Sequence, residues 1–234
     1  MVQAFAERLW FCWRAERIGH VRAGRLAWIA ALAVLCVPIG CGNSHGRTCP
    51  DEPGADLSGR AVGGWELSQG RLRCANLERS TLDGEVVSEA NLSAANLHHA
   101  RLHRAWLENV DLSGADLTEA VVESARLDGV DLTRADLRGS NLADSQLTDV
   151  SLAGARLEGA VLRTAVASRS DLSGADVRDA DLTGGSLVDT DLRGARLDGA
   201  KLAGTTWSNV VCPDGVKSAG EDRESCDGHL TPAR

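Results

Sequence analysis

The sequence is poor in the residues that fill the core of an ordinary globular domain. Among 234 residues there is no Tyr, and there are only two Phe and one Met. A close-packed mixed core draws on side chains of several shapes. The composition therefore argues against such a core and favours one small unit repeated many times. A net charge of −8 also argues against non-specific nucleic-acid binding through a basic patch.

Sequence motifs for catalysis are missing as well. No G-x-S-x-G, H-E-x-x-H or phosphate-loop pattern occurs. We therefore expect no enzyme activity, no cofactor and no small-molecule substrate. His98, His99 and His103 are close enough in sequence to suggest a metal site. No carboxylate or Cys completes an obvious coordination shell around them, so we expect no metal there.

The first 40 residues differ from the rest of the chain. Five Arg among the first 25 residues precede an apolar run from Leu26 to Cys41, which is shorter than the about 20 residues of a spanning helix. The layout resembles a bacterial lipoprotein signal, which implies cleavage after residue 40, a lipid on Cys41 and a linker over 41–54. Loss of five Arg and two Glu would change the net charge from −8 to −11. A plain secretory signal and an uncleaved anchor are the alternatives.

A five-residue period runs through most of the remaining chain. Every fifth residue from Leu57 to Cys212 gives 32 positions without an insertion, and 25 of them are Leu. The residue two before this position is mostly Ala, the residue just before it is often Asp or Asn, and the second residue after it is often Gly. A period of five fits neither an α-helix nor a flat strand. The chain must turn a corner every five residues, with the Leu and the small residue pointing inward.

The pattern A-[D/N]-L-x-x resembles the pentapeptide-repeat family. Clear copies are ANLSA (90–94), ADLTE (115–119), ADLRG (135–139), ADVRD (175–179) and ADLTG (180–184). The resemblance implies an all-β fold, a right-handed quadrilateral β-helix with four pentads per coil, which gives about eight coils over residues 55–211. Some family members mimic DNA and bind DNA gyrase. A DNA-mimic inhibitor of a topoisomerase is therefore the alternative function.

Both ends of the repeat depart from its pattern. Arg60, Trp65 and Glu85 stand where a small inner residue is expected, so we interpret residues 55–89 as a degenerate N-terminal cap. Residues 205–230 resemble the segment that follows pentapeptide repeats in many secreted bacterial proteins. We expect residues 212–234 to form a disulfide-linked C-terminal cap and a tail.

Four further cysteines follow Cys41, and they fall into one group near each end of the repeat: Cys49, Cys74, Cys212 and Cys226. Four cysteines allow three pairings. The two Cα atoms of a disulfide lie within about 7 Å, which favours Cys49–Cys74 and Cys212–Cys226 over pairs that span the repeat. Disulfides persist in oxidising compartments, in agreement with export.

Indexing the pentads by four places outward Asp residues on two adjacent sides. We take them as the candidate contact face: Asp111, Asp131, Asp171 and Asp191 on one side, and Asp116 and Asp136 on the next. Trp106 also points outward and is a further contact candidate. We therefore expect a non-catalytic structural or interaction module, either lipid-anchored through Cys41 in the bacterial cell envelope or secreted. Its partner would be a protein, with no direct contact to nucleic acid.

Overall fold

The computed structural model describes residues 54–68, 72–218, 226 and 228–230. The predicted signal over 1–40, Cys41 and most of the linker lie outside these residues. In the described part the chain coils with a period of 20 residues, and on every side residues bridge in parallel to those one coil later, as Asp111 does to Asp131. This all-parallel β-solenoid confirms the predicted fold class, whereas the right-handed turn of the coil stays a prediction.

Each coil has four sides, and each side shows one column of outward residues. Side I runs from Asp56 to Arg196, and side II from Ala61 to Lys201. Side IV runs from Asn91 to Val211. Side III is a parallel sheet of seven three-residue strands in chain order: β1 (Val86–Ser88), β2 (Trp106–Glu108), β3 (Arg126–Asp128), β4 (Gln146–Thr148), β5 (Val166–Ser168), β6 (Ser186–Val188) and β7 (Thr206–Ser208).

Backbone hydrogen bonds explain why five residues make one side. The Leu112 N–H donates to the Asp131 carbonyl one coil later at 2.7 Å, while the Ala115 N–H closes the corner onto the Leu112 carbonyl at 3.0 Å. The second residue after each Leu has positive φ on most corners, which explains why Gly is common there. At Gly129 (φ +63°) an added Cβ would also lie 2.5 Å from the Asn109 Oδ1, so the Asn109 side chain would have to move.

The core consists of stacked Leu side chains with small residues between them. On side I the stack includes Leu97, Leu117, Leu137 and Leu157, all at most 2% exposed. Ala115 and Ala135, in the small inner positions, are fully buried. Because equivalent residues lie directly above one another, every pentad contributes the same two side chains to one continuous core.

The first coil is irregular, and this corrects the predicted number of coils. The seven strands of side III enclose six turns, fewer than the about eight coils expected from the repeat frame. Twenty residues before β1 the chain forms a short helix, α1 (Gly64–Ser68), instead of another strand. The Gly64 N–H donates to the Glu85 carboxylate at 2.8 Å, and the Ser88 N–H donates to the Ser68 Oγ at 3.2 Å. Glu85 thus holds the start of α1, which is why it replaces a small inner residue.

The C-terminal end closes differently. Val211 bridges antiparallel to Lys217, and Cys212 is disulfide-bonded to Cys226 with their Cα atoms 5.5 Å apart. Cys74 is buried and disulfide-bonded, whereas its predicted partner Cys49 lies outside the described residues. Within the described ranges, no helix has the length and apolar character needed to cross a membrane.

Candidate contact surface

The outward aspartates first serve the fold. In each of the six predicted contact residues, the Oδ1 accepts the backbone N–H two residues later, at distances from 2.8 to 3.4 Å. A short Asp or Asn side chain can reach its own backbone in this way and stabilise a turn. The residues are Asp111, Asp116, Asp131, Asp136, Asp171 and Asp191. Their frequency before Leu therefore reflects turn geometry, and only their remaining charge is available to a partner.

Side I is largely neutralised by arginine. Asp136 accepts from the Arg138 Nη2 at 2.8 Å and lies 3.4 Å from the Arg156 Nη1. The same arrangement recurs two coils later, where hydrogen bonding from Arg178 lowers the pKa of Asp176. Asp116 is only 3% exposed. Side I thus presents ion pairs and a buried carboxylate, although the sequence places it in the acidic contact face.

Side IV keeps more of its negative charge. Asp111, Asp131 and Asp171 take part in no ion pair with any described residue, and Asp191 is paired with Arg193 at 2.5 Å. Five more carboxylates lie along the corner between sides III and IV. We call the combined surface the acidic strip: Glu89, Glu108, Asp111, Asp128, Asp131, Asp149, Asp171, Asp189 and Asp191.

Besides Arg193, which lies beside the rows, the described part of the acidic strip has one cation within its rows, Arg169, whose Nη2 lies 2.7 Å from the Asp149 Oδ2. This pair is exposed on both partners and is therefore largely screened by solvent. Sequence reasoning missed the corner carboxylates because the two positions after each Leu show no preferred charge. Indexing those positions by 20 as well would have lined up Glu108 with Asp128, and Glu89 with Asp149 and Asp189.

The three histidines do not converge on one point, although the His98 and His99 rings lie 3.9 Å apart. The His98 Nδ1 lies 2.7 Å from the Thr118 Oγ1 and 3.0 Å from the Thr118 carbonyl, and the His99 Nδ1 lies 3.5 Å from the Glu119 Oε2. His103 lies on the next corner. No three His, Cys, Asp or Glu side chains in the described ranges are arranged to hold a metal ion.

The Thr118 hydroxyl has a neighbouring imidazole, but His98 is not placed to act as its base. Its Oγ1 donates to the Asp116 Oδ1 at 2.6 Å, so the hydroxyl proton points away from His98. The His98 Nδ1 must then donate to Thr118, and a donating nitrogen cannot act as a general base. An open polar depression beside this pair is lined by side chains that include Asp136, Arg138 and Arg156, and both arginines are already ion-paired to Asp136.

Comparison with known proteins places this geometry in a family. The family model described as "Pentapeptide repeats (8 copies)" matches residues 71–109, 105–144, 145–184 and 171–211. A search of curated proteins finds no match to this chain.

Solved structures with similar folds include three repeat proteins. HetL of the cyanobacterium Nostoc, a protein involved in regulating heterocyst differentiation, is 29% identical, with 70% of this chain and 85% of HetL covered and a TM-score of 0.35. QnrB1, a plasmid-mediated fluoroquinolone resistance protein, is 17% identical, with 58% and 75% covered and a TM-score of 0.42. A thylakoid-lumen protein of Arabidopsis thaliana is 28% identical, with 51% and 72% covered and a TM-score of 0.27. Because the family model spans most of the chain, this protein belongs to the pentapeptide-repeat family.

Proposed function

We propose that the chain is a non-catalytic interaction module of the bacterial cell envelope, and that its acidic strip contacts a protein partner. The distribution of charge on the solenoid carries this proposal. The strip gathers nine carboxylates along one side and corner, and among the described residues only two of the nine are ion-paired, Asp149 with Arg169 and Asp191 with Arg193. On side I, by contrast, Asp136 and Asp176 each pair with two arginines. A field of one sign on one surface steers and orients a partner of opposite charge.

A non-catalytic role agrees with the family and with the described surface. Pentapeptide-repeat proteins are generally structural or interaction modules. In the His98–Thr118 pair, the hydroxyl donates to Asp116 and not to the imidazole, so the pair lacks the arrangement in which His98 would be the base. Pentads repeat without an inserted loop from 72 to 211, so no loop builds an enclosed site over the solenoid.

Location in the envelope is supported by the N-terminal pattern and by the disulfides. A basic stretch, a short apolar run and Cys41 follow the order of an exported lipoprotein. The Cys212–Cys226 bond and the bonded Cys74 suit an oxidising compartment. A lipid on Cys41 would tether the module to a membrane and leave the solenoid free to reach its partner.

The alternative, a DNA mimic that inhibits a topoisomerase, needs a surface of regular negative charge. Arg156 and Arg196 interrupt the acidic column of side I, and Arg138 and Arg178 fold back onto their neighbouring aspartates. These arginines make the surface unlike DNA, and they favour a protein partner other than a topoisomerase.

Photo-cross-linking in the native host tests the proposed surface. Glu108 on the acidic strip and Glu158 on the diagonally opposite corner hold the same place in their pentads. Each is replaced in turn by a photo-reactive amino acid, and cells are irradiated before the envelope is extracted. We expect a discrete cross-linked protein from position 108 and none from position 158. Equal cross-linking at both positions, or none at 108, would contradict the proposal.

A further inference from the structure

Side III uses its outward residues differently from sides I and IV. On sides I and IV, an outward Asp or Asn accepts a hydrogen bond from a backbone N–H of its own turn, as Asp116 does from Thr118 at 3.0 Å. None of the seven outward positions of side III holds Asp or Asn: Val86, Trp106, Arg126, Gln146, Val166, Ser186 and Thr206. On this side, extended strands replace the turns that an Asp or Asn side chain stabilises. The fold therefore does not require a particular residue type at these seven positions.

The exposed apolar surface is concentrated on the same side. Five large hydrophobic side chains are exposed in the described part of the chain, and three belong to side III: Val86 (51%), Trp106 (38%) and Val166 (39%). Trp65, 63% exposed, extends the patch at the α1 end, since α1 packs on β1. Apolar side chains grouped on one exposed surface mark an interaction site more often than scattered ones do.

Trp106 is held in place by the next two strands. The Arg126 guanidinium lies 5.6 Å from the centre of the Trp106 ring, close enough for a cation–π contact. Its Nη2 and Nε donate to the Gln146 Oε1 at 3.3 and 3.4 Å. A side chain that is ordered before binding loses less entropy when a partner covers it. Trp and Arg are also the residues that most often dominate the energy of an interface.

The charge beside this face defines the partner. The edge that side III shares with side IV belongs to the acidic strip and includes Glu108, Asp128 and Asp149. The whole chain also has a net charge of −8. A second copy of the chain, or an anionic lipid surface, would bring like charges to this edge. A polypeptide with Lys or Arg along that edge would instead be attracted.

We propose that side III, centred on Trp106 and Arg126, binds a cationic polypeptide segment that lays an apolar side chain against Trp106. Its Lys or Arg side chains face the carboxylates of the acidic strip, and its apolar side chains cover Val86 and Trp106. This inference rests on the proposed function for the sign of the partner's charge. It adds that side III contributes to the binding affinity and favours a partner with an apolar side chain.

Binding of two synthetic peptides to the purified full chain tests the inference. One labelled peptide alternates Lys and Leu, and the other alternates Lys and Ser, so that both carry equal charge. We expect the Lys–Leu peptide to bind more tightly by fluorescence anisotropy, and Trp106→Ala to weaken it roughly 10-fold or more. Ser186→Ala is the matched control, because it lies four strands away, about 19 Å, on the same face. It should bind like the wild type.

The outcomes separate this inference from the proposed function. If both peptides bind equally and Trp106→Ala changes neither affinity, side III has no role in binding and the inference is overturned. Charge attraction between the peptides and the acidic strip would then explain the binding. No binding of either peptide would contradict both. Self-association lost in Trp106→Ala by sedimentation, or binding to anionic vesicles, would replace the cationic polypeptide with another occupant and overturn the inference. If Trp106→Ala fails to fold by circular dichroism, Val86→Thr, which replaces an exposed methyl group by a hydroxyl without changing charge, should still weaken Lys–Leu binding, roughly two- to fivefold, and leave Lys–Ser binding unchanged.

Discussion

Replacing Ser80 by Ala should make the protein more stable. Ser80 holds the small inner position of side II and is fully buried, and within the described ranges its Oγ is the one buried side-chain polar atom without a hydrogen-bond partner. Ser140 lies in the same column and is equally buried, but its Oγ donates to the Leu137 carbonyl at 2.6 Å. Ala100 and Ala120 fill the positions between them, so Ala fits this slot without leaving a cavity.

The two serines therefore make a matched pair with opposite expected signs. Burying an unpaired hydroxyl costs about 1–3 kcal/mol, so Ser80→Ala should raise the free energy of unfolding by about 1 kcal/mol. Ser140→Ala should lower it by about 0.5–1.5 kcal/mol, because a made hydrogen bond is lost. Urea unfolding measures both changes, and a gain of 1 kcal/mol corresponds to about 2–4 °C in Tm for a chain of this size. The reasoning is refuted if Ser80→Ala destabilises as much as Ser140→Ala.

Three further predictions follow from the core, the charges and the alternative function. Leu137→Ala, at a fully buried mid-solenoid position, should lower the free energy of unfolding by about 2–5 kcal/mol, measured in urea. Leu202→Ala, at the partly exposed C-terminal end, should lower it by less. Equal losses would contradict a core that is tightest in its middle. Hydrogen bonds from Thr183 and Arg163 hold the pKa of the Asp181 carboxyl in the folded protein below its usual value. The ionised carboxylate therefore stabilises the fold at pH values above its unfolded pKa of about 3.9. This stabilisation is lost as the pH falls through the lower pKa of the folded protein. Tm should therefore stay level from about pH 7 to 5 and drop below about pH 4, less steeply in Asp181→Asn; an equally steep drop in the variant would rule out this carboxylate as a cause. Purified protein should leave DNA supercoiling by gyrase unchanged, and inhibition at stoichiometric protein would favour the DNA mimic.

The repeat frame allows the core to be predicted residue by residue. Once Leu57 fixes the register, every fifth residue must point inward, and backbone pairing between coils leaves no freedom to shift. Leu97, Leu117 and Leu137 are buried in one column as the period of five requires. Within the described residues, the repeat frame is broken at the N-terminal end, where α1 forms in place of a strand. Its hydrogen bond to Glu85 crosses 21 residues, which no local pattern shows.

The contact surface was harder to predict, because the frame fixes where an outward side chain starts but not where its charged end lies. Arg138 follows Asp136 by two residues and folds back onto it, which converts an acidic position into an ion pair. Corner positions such as Glu108 and Asp128 carry charge without any period of five. They can be recognised as a row only when the 20-residue length of the coil is known. In the structure, the acidic surface extends along the corner next to side III and not onto side I.

The most direct test of a cell-envelope module is the intact mass of the mature protein purified from its host. We predict a chain that begins at Cys41 with a lipid on that residue, and with Cys212 joined to Cys226. Proteolytic fragments analysed without reduction would also show whether Cys74 is joined to Cys49. A full-length chain that starts at Met1, carries no lipid and is recovered from the cytoplasm would contradict the central claim.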